Sequence, residues 1–316
     1  MAAKCELVAL EPAARQREVT PSASRRRTRL GTGASAALLW LALAVPGCAA
    51  ARAAAPAVIE FARDTVATSD FGDARLQGTA NRLALRSSAE SATHFRWGLD
   101  YAYQRYEYQG LASRNRDLHR LAVPLGWQVD GPLPWSVELR PVIATSSNVF
   151  KDFLSRGSAD DFMWHGRAAI ERPPRGREWG WRLGVARDDG FGREAVYPVA
   201  ALLRRYGGMF MELGWPVTRA MLQAGRGVEL GGEIAPAGGR WHVVSDERDG
   251  ARFDYEVRAW RAGAIARWRA DRGFLLAARA GLEFDRRHRL EDDTGATVQR
   301  AVGEAMYVTV SAGYQW

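Results

Sequence analysis

The amino-acid sequence predicts an all-β fold: an antiparallel up-and-down transmembrane β-barrel of about 12 strands, with 10 or 14 as the next counts. Three observations predict it. Segments of about ten residues alternate an apolar face with a small or polar one, matching the roughly 9–11 residues a barrel strand needs to cross a bilayer. Aromatic side chains gather at or near the segment ends, as interfacial girdles require. The stretch Val302–Trp316 shows both features at once. There Met306, Val308, Val310, Ala312, Tyr314 and Trp316 share one parity, against Tyr307, Thr309, Ser311, Gly313 and Gln315. That is the period of two of a strand. An aromatic terminus in phase with the apolar face makes Val308, Val310, Tyr314 and Trp316 the expected assembly signal for the outer-membrane insertion machinery.

Composition narrows the class. The chain has 316 residues, of which 47% are hydrophobic, and no stretch reaches the roughly 18 apolar residues of a spanning helix. Tryptophan occurs twelve times and tyrosine nine, while lysine appears only as Lys4 and Lys151. The net charge is +8, but most of it lies before Ala55, and the remainder intersperses its signs. A basic leader followed by a mixed body gives no reason to expect nucleic acid as a partner. Cys5 and Cys48 both precede Pro56, so the body has no disulfide, thiolate metal site or cysteine nucleophile.

Residues 1–55 read as an N-terminal extension and a cleaved secretory signal. Arg25-Arg26-Arg27-Thr28-Arg29 precedes the apolar run Ala34–Val45, and small residues follow to Ala55. Cleavage is expected after Ala49 or Ala51. The rival reading is lipidation at Cys48, within Val45-Pro46-Gly47-Cys48. Ser24-Arg25-Arg26 faintly resembles a twin-arginine motif, but a barrel precursor must stay unfolded for export. Export to the outer membrane of a Gram-negative bacterium is the expectation.

Residues 56–93 are weakly patterned and are expected as a periplasmic lead-in, with the barrel spanning 94–316. Phe95, Trp97, Leu99, Tyr101 and Tyr103 open the first clear strand. Leu121–Val129, Trp135–Ile143, Phe162–Ile170, Trp179–Val185 and Phe274–Phe284 repeat its pattern. Connections Asp130–Pro134, Arg172–Glu178 and Tyr206–Gly208 are short, as periplasmic turns are. Ser146–Asp160, Asp188–Ala195, Ser245–Arg252 and His288–Gln299 are longer and belong outside. All candidates together make thirteen segments, which cannot leave both ends in the periplasm. Met209–Ala224 reads either as one long strand broken at Pro216 or as a hairpin of two, and taking it as one gives twelve.

Asp188-Asp189-Gly190-Phe191-Gly192-Arg193-Glu194-Ala195-Val196-Tyr197-Pro198-Val199, then Glu212-Leu213-Gly214-Trp215-Pro216, Tyr255-Glu256-Val257-Arg258 and Glu283-Phe284-Asp285-Arg286-Arg287, form a series. It resembles an uncharacterised family of Gram-negative proteins taken to be outer-membrane β-barrels. The resemblance spans roughly Trp179 to Trp316. It implies a barrel and export, and brings no activity, ligand or catalytic residues.

The chain has no His-Glu-x-x-His, P-loop or Gly-x-Ser-x-Gly motif. No catalytic set, cofactor or metal site is expected. The acids Asp188, Asp189, Asp246, Glu247, Glu291, Asp292 and Asp293 fall in expected outer loops. They read as solvated charge, with divalent cations or, through Arg187, Arg193 and Arg287, lipopolysaccharide as the sharper alternatives. The candidate lumen-lining residues are Arg120, Glu138, Arg140, His165, Arg167, Arg182, Arg279, Glu283 and Asp285. Charges in a narrow lumen are costly unless paired or hydrated. They therefore interlock as a plug or line a wet pore. The leading expectation is a small channel or passive transporter. A closed structural, adhesive or loop-active barrel is second, and a soluble periplasmic barrel or lipoprotein third. Outer-membrane lipid and lipopolysaccharide are the expected partners, and oligomeric state stays open.

Overall fold

The computed structural model describes residues 57–87, 94–110, 116–176, 178–245, 250–292 and 295–316. The expected signal and the acids Asp246, Glu247 and Asp293 lie outside them. Fourteen strands form one closed antiparallel sheet. They are β1 (Ala57–Phe71), β2 (Ala74–Ser87), β3 (Phe95–Gln109), β4 (Arg116–Ala122 and Leu125–Val129), β5 (Trp135–Ser146), β6 (Phe162–Arg172) and β7 (Gly180–Asp188). Then come β8 (Ala195–Tyr206), β9 (Met209–Trp215), β10 (Thr218–Gly225) and β11 (Val228–Pro236 and Gly239–Ser245). The last are β12 (Ala251–Arg269), β13 (Phe274–Asp292) and β14 (Thr297–Val302 and Ala305–Gln315). Each strand pairs with the next in sequence, and β14 closes on β1 from Val58↔Gln315 to Val66↔Tyr307. Ala57 and Trp316 exchange both backbone hydrogen bonds, at 3.2 and 3.1 Å. We call this the near end and the opposite one the far end.

The count of about twelve is corrected to fourteen. Residues 57–87, expected as a lead-in, are two full strands joined by a turn at Gly72-Asp73, where Gly72 has φ +63°. Met209–Gly225 is a hairpin of two short strands around Pro216, not one broken strand. The expected loop 288–299 shrinks, because β13 runs to Asp292 and β14 begins at Thr297. The turns at 130–134, 173–176, 207–208, 226–227 and 270–273 lie at the near end, and the connections at 72–73, 147–161, 189–194 and 216–217 at the far end.

The two faces of the wall differ in kind, as sequence alternation requires. Trp97, Leu99, Trp135, Leu139, Trp164, Leu183, Leu276, Val308 and Val310 are all 42–56% exposed on the outer face. On β13 the outward aromatics Phe274 and Phe284 are ten residues apart. At about 3.3 Å per residue and a tilt near 40°, that is roughly 25 Å, the height of a bilayer's apolar band. Near-end aromatics such as Trp127, Trp268, Tyr314 and Trp316 and far-end ones such as Trp215 and Trp260 mark the two edges.

Beyond the far girdle the pattern inverts. On β1, Ile59 and Phe61 point out, whereas Val66 and Phe71, across a bulge between Val66 and Ser69, are 5% and 8% exposed and point in. β13 changes parity at Asp285, which has φ +47°: Glu283 is buried inside below it, and Arg286 and His288 are buried inside above it.

The wall is also uneven. β9 and β10 have 7 and 8 residues, while β12 and β13 have 19 each. Above the short strands, the far half of β11 pairs with β12 and meets β5 through one parallel bridge, His242↔Thr145. The far third is thus a narrower barrel closed without β6–β10.

Candidate functional site

The lumen has three tiers, and each follows from the side chains on inward-facing positions. The far tier is a dry cap. Leu76, Leu118 and Tyr255 have no exposed surface, and Val142, Met163, Trp241 and Phe253 pack with them. Hydroxyl and imidazole groups in the cap pair with one another, although Trp241 Nε1 and His288 Nε2 have no partner among the described residues. Tyr255 Oη contacts Tyr108 Oη at 2.8 Å and His288 Nδ1 at 2.7 Å. The β5–β11 seam is held mainly by side chains. Thr145 Oγ1 donates to the His242 carbonyl at 3.0 Å, and Asn148 Nδ2 to the Val244 carbonyl at 2.6 Å.

Beneath the cap lies a clamp of buried charges. Arg120 on β4 donates to Asp189 (Nη1–Oδ1 2.9 Å) and to the Arg240 carbonyl (3.1 Å), and its guanidinium lies 5.0 Å from the centroid of Trp241. The Arg240 backbone N–H donates to Asp189 Oδ2 at 2.7 Å, and His165 Nε2 approaches Oδ1 at 3.5 Å. Burial by itself would raise the Asp189 carboxyl, but Arg120 beside it holds it below the usual carboxylate range. The loop that carries Asp189 is folded into the break in β11, where the Gly238 N–H donates to the Gly190 carbonyl at 2.7 Å. Gly192 has φ +89°, and a Cβ there would stand 3.0 Å from the Val257 carbonyl, so the approach requires glycine. Across the lumen Arg261 joins Asp64 and Glu283, each at 2.8 Å. Arg286 reaches Glu283 at 2.8 Å and the Gly303 carbonyl at 2.8 Å, which ties the bulge of β13 to the break in β14.

The near tier is a vestibule of about 690 Å³ that opens between the near-end turns. Its pairs are looser and wetter. Arg140 contacts Glu138 at 2.8 Å, with side chains 34% and 44% exposed. Arg182 bridges Glu171 at 2.8 Å and Glu212 at 2.5 Å. Elsewhere in the near half, Glu233 takes Arg219 (Nε–Oε2 2.6 Å) and Arg279 (3.5 Å).

The structure therefore distributes the sequence-derived lumen set. Glu138, Arg140, Arg167 and Arg182 line the vestibule, and Arg279 stands in the near half. Arg120, His165 and Glu283 belong to the clamp layer. Asp285 is the exception and is corrected: as the extra residue of the bulge it leaves the inward parity and pairs with Arg258 (2.7 Å) and Arg287 (3.2 Å) on the outer face. Asp189, expected as solvated loop charge, is 3% exposed at the centre of the clamp. Asp188 accepts from Tyr197 Oη at 2.5 Å, and Glu291 pairs with Arg289. Asp64 lies in the segment expected as a lead-in, and Arg286 is turned inward by the bulge of β13. Among the described residues, no three His, Cys, Asp or Glu side chains converge as a metal site. Val308, Val310, Tyr314 and Trp316 form an outward row on β14, beside the seam with β1.

Fold and lumen together define a closed, membrane-type β-barrel with an inward-facing charge system. Comparison with family models and with curated proteins gives no match. Among solved structures the chain is similar to the toluene transporter TodX of Pseudomonas putida, with TM-score 0.34, 11% identity, and 83% of this chain and 90% of that one covered. It is similar to an outer-membrane channel of Pseudomonas putida F1, with TM-score 0.46, 11% identity, and coverage of 86% and 99%. A third similarity is to Neisserial surface protein A, with TM-score 0.23, 9% identity, and coverage of 82% and 95%.

Proposed function

We propose that the chain is an outer-membrane barrel of a Gram-negative envelope that works as a narrow channel or passive transporter, closed in the conformation described. The near end faces the periplasm and the far end the exterior, since the longest connection between described strands, 147–161, lies at the far end. The observation that carries the reading is the one-sided lumen: a hydrated, charged vestibule of about 690 Å³ leads up to a clamp and a dry cap. A barrel with only a structural role has no use for a wet, charged cavity on one side. The loop holding Asp189 and the side-chain seam between β5 and β11 are the parts that must move for passage. Residues 1–55 supply the export signal in this reading. The outward row ending in Trp316 is the surface for the insertion machinery, and far-end arginines such as Arg187 and Arg287 meet lipopolysaccharide. No catalysis is assigned.

Planar-bilayer conductance of the refolded protein tests this. Rare, small unitary steps are expected from the native sequence and larger or more frequent ones from Asp189→Ala. A tight seal from both would sink the channel. The second reading, a permanently closed barrel active through its outer loops, is favoured by the complete burial of Leu76, Leu118 and Tyr255 in the cap.

A further inference from the structure

The five arginines that line the vestibule are unevenly paired. Glu138 is held by Arg140 at 2.8 Å, and Arg182 holds both Glu171 at 2.8 Å and Glu212 at 2.5 Å. Arg86 is matched by Asp100 at 3.1 Å. The remaining acid, Asp130, sits at the rim with its side chain 72% exposed, 4.0 Å from His94. Two arginines lining the cavity have no carboxylate partner among the described residues. Arg96 donates only to the neutral amide oxygen of Gln128. Arg167 has no ion pair among the described residues, although Glu138 stands opposite it in the β5–β6 register. Both are exposed, and neither guanidinium is engaged by a carboxylate among the described residues.

A guanidinium presents parallel N–H donors that match the oxygens of a carboxylate or phosphate. The cavity lies within the roughly 300–1,000 Å³ typical of small-molecule sites. We propose that the vestibule binds a small oxyanion, a solute bearing carboxylate or phosphate groups, at Arg96 and Arg167, and that the barrel selects for anions. Only the selectivity rests on the channel reading; the binding does not.

The test is calorimetric titration of inorganic phosphate and of citrate into the full chain refolded in detergent, at low ionic strength. Binding of either probe is expected, weakened about tenfold by Arg167→Gln and by Arg96→Gln. Arg226→Gln is the control, because Arg226 is 89% exposed in a near-end turn outside the cavity. Heat-modifiable gel migration verifies that each variant folds. Absence of binding for both probes overturns the site, and so does binding that Arg167→Gln and Arg96→Gln leave unchanged. Reversal potentials across a salt gradient then address selectivity: anion preference supports it, and cation preference overturns it with the channel intact. Arginine-dependent binding without any conductance supports the site and counts against the channel alone.

Discussion

On β5 the inward positions are Glu138 and Arg140 toward the near end, then Val142 and Ala144 toward the far end. Glu138 and Arg140 are a half-exposed ion pair, whereas Val142 and Ala144 are each 1% exposed. The interior passes from wet to dry within one step of the strand, while the exterior passes from lipid to water in the opposite sense. In the near region lipid outside selects apolar outward side chains and leaves the polar ones to the lumen. In the far region water outside reverses the choice, and the hydrophobic effect fills the interior. One set of strands thus serves as a membrane barrel below and as a water-soluble β-barrel above. The layer where the two meet is where the buried charges sit.

The largest effect is expected at that meeting layer. Asp189→Ala leaves the Arg120 guanidinium as a buried charge without its carboxylate, at a cost of about 3–5 kcal/mol. Urea titration of the folded, heat-modifiable band reads it as a lower midpoint. An unchanged midpoint would mean that the clamp does not join the two regions.

Next in size is a matched pair of truncations. Leu118→Ala opens a cavity in the dry cap and is expected to cost about 2–5 kcal/mol. Leu99→Ala, on the lipid face at 43% exposed, loses similar contacts but leaves no void, because lipid moves in. Equal losses in the same titration would erase the distinction between the two interiors.

Acid gives a smaller, graded effect. The folded-state pKa of Asp189 is lowered, so its contribution is fully present above the ordinary carboxylate value of about 3.9 and is lost as pH falls through the lowered one. Protease nicking within residues 189–194 should stay suppressed down to pH 4 and appear only well below it. Nicking that begins between pH 5 and 6 would contradict the assignment. The smallest effect is in the vestibule. Glu138→Gln removes a half-exposed pair and should change stability by less than about 1 kcal/mol, which equilibrium unfolding in detergent can bound.

The same inversion explains what was legible in the sequence. Strands whose membrane half dominates, such as Phe95–Tyr103, Trp135–Ile143 and Met306–Trp316, keep one parity long enough to be read, and their outward faces lie where alternation puts them. Val302, of the same parity as Met306, is instead buried in the cap. β1 and β2 were missed because Ile59 and Phe61 point out while Val66, Phe71 and Leu76 point in, so the two halves cancel in any single-parity reading. The far part of β13 looked like a loop for the same reason. Its bulge at Asp285 shifts Arg286 and His288 inward, and the outward Arg287, Arg289 and Glu291 face water. The role of Asp189 was not legible, because a loop carboxylate becomes a buried counter-charge only through Arg120 on a strand 69 residues away in sequence. Local spacing holds no trace of such a partner.

The body of the chain has no native cysteine, which makes the division between the two interiors directly measurable. Arg167→Cys places a thiol in the vestibule, and Met163→Cys places one in the cap, where the native side chain is 4% exposed. Both lie on the inward face of β6, four residues apart. In the folded barrel a membrane-impermeant maleimide should label the first thiol rapidly and the second only after boiling. Equal labelling rates would mean that the cap is not dry, and the two-region account would fail.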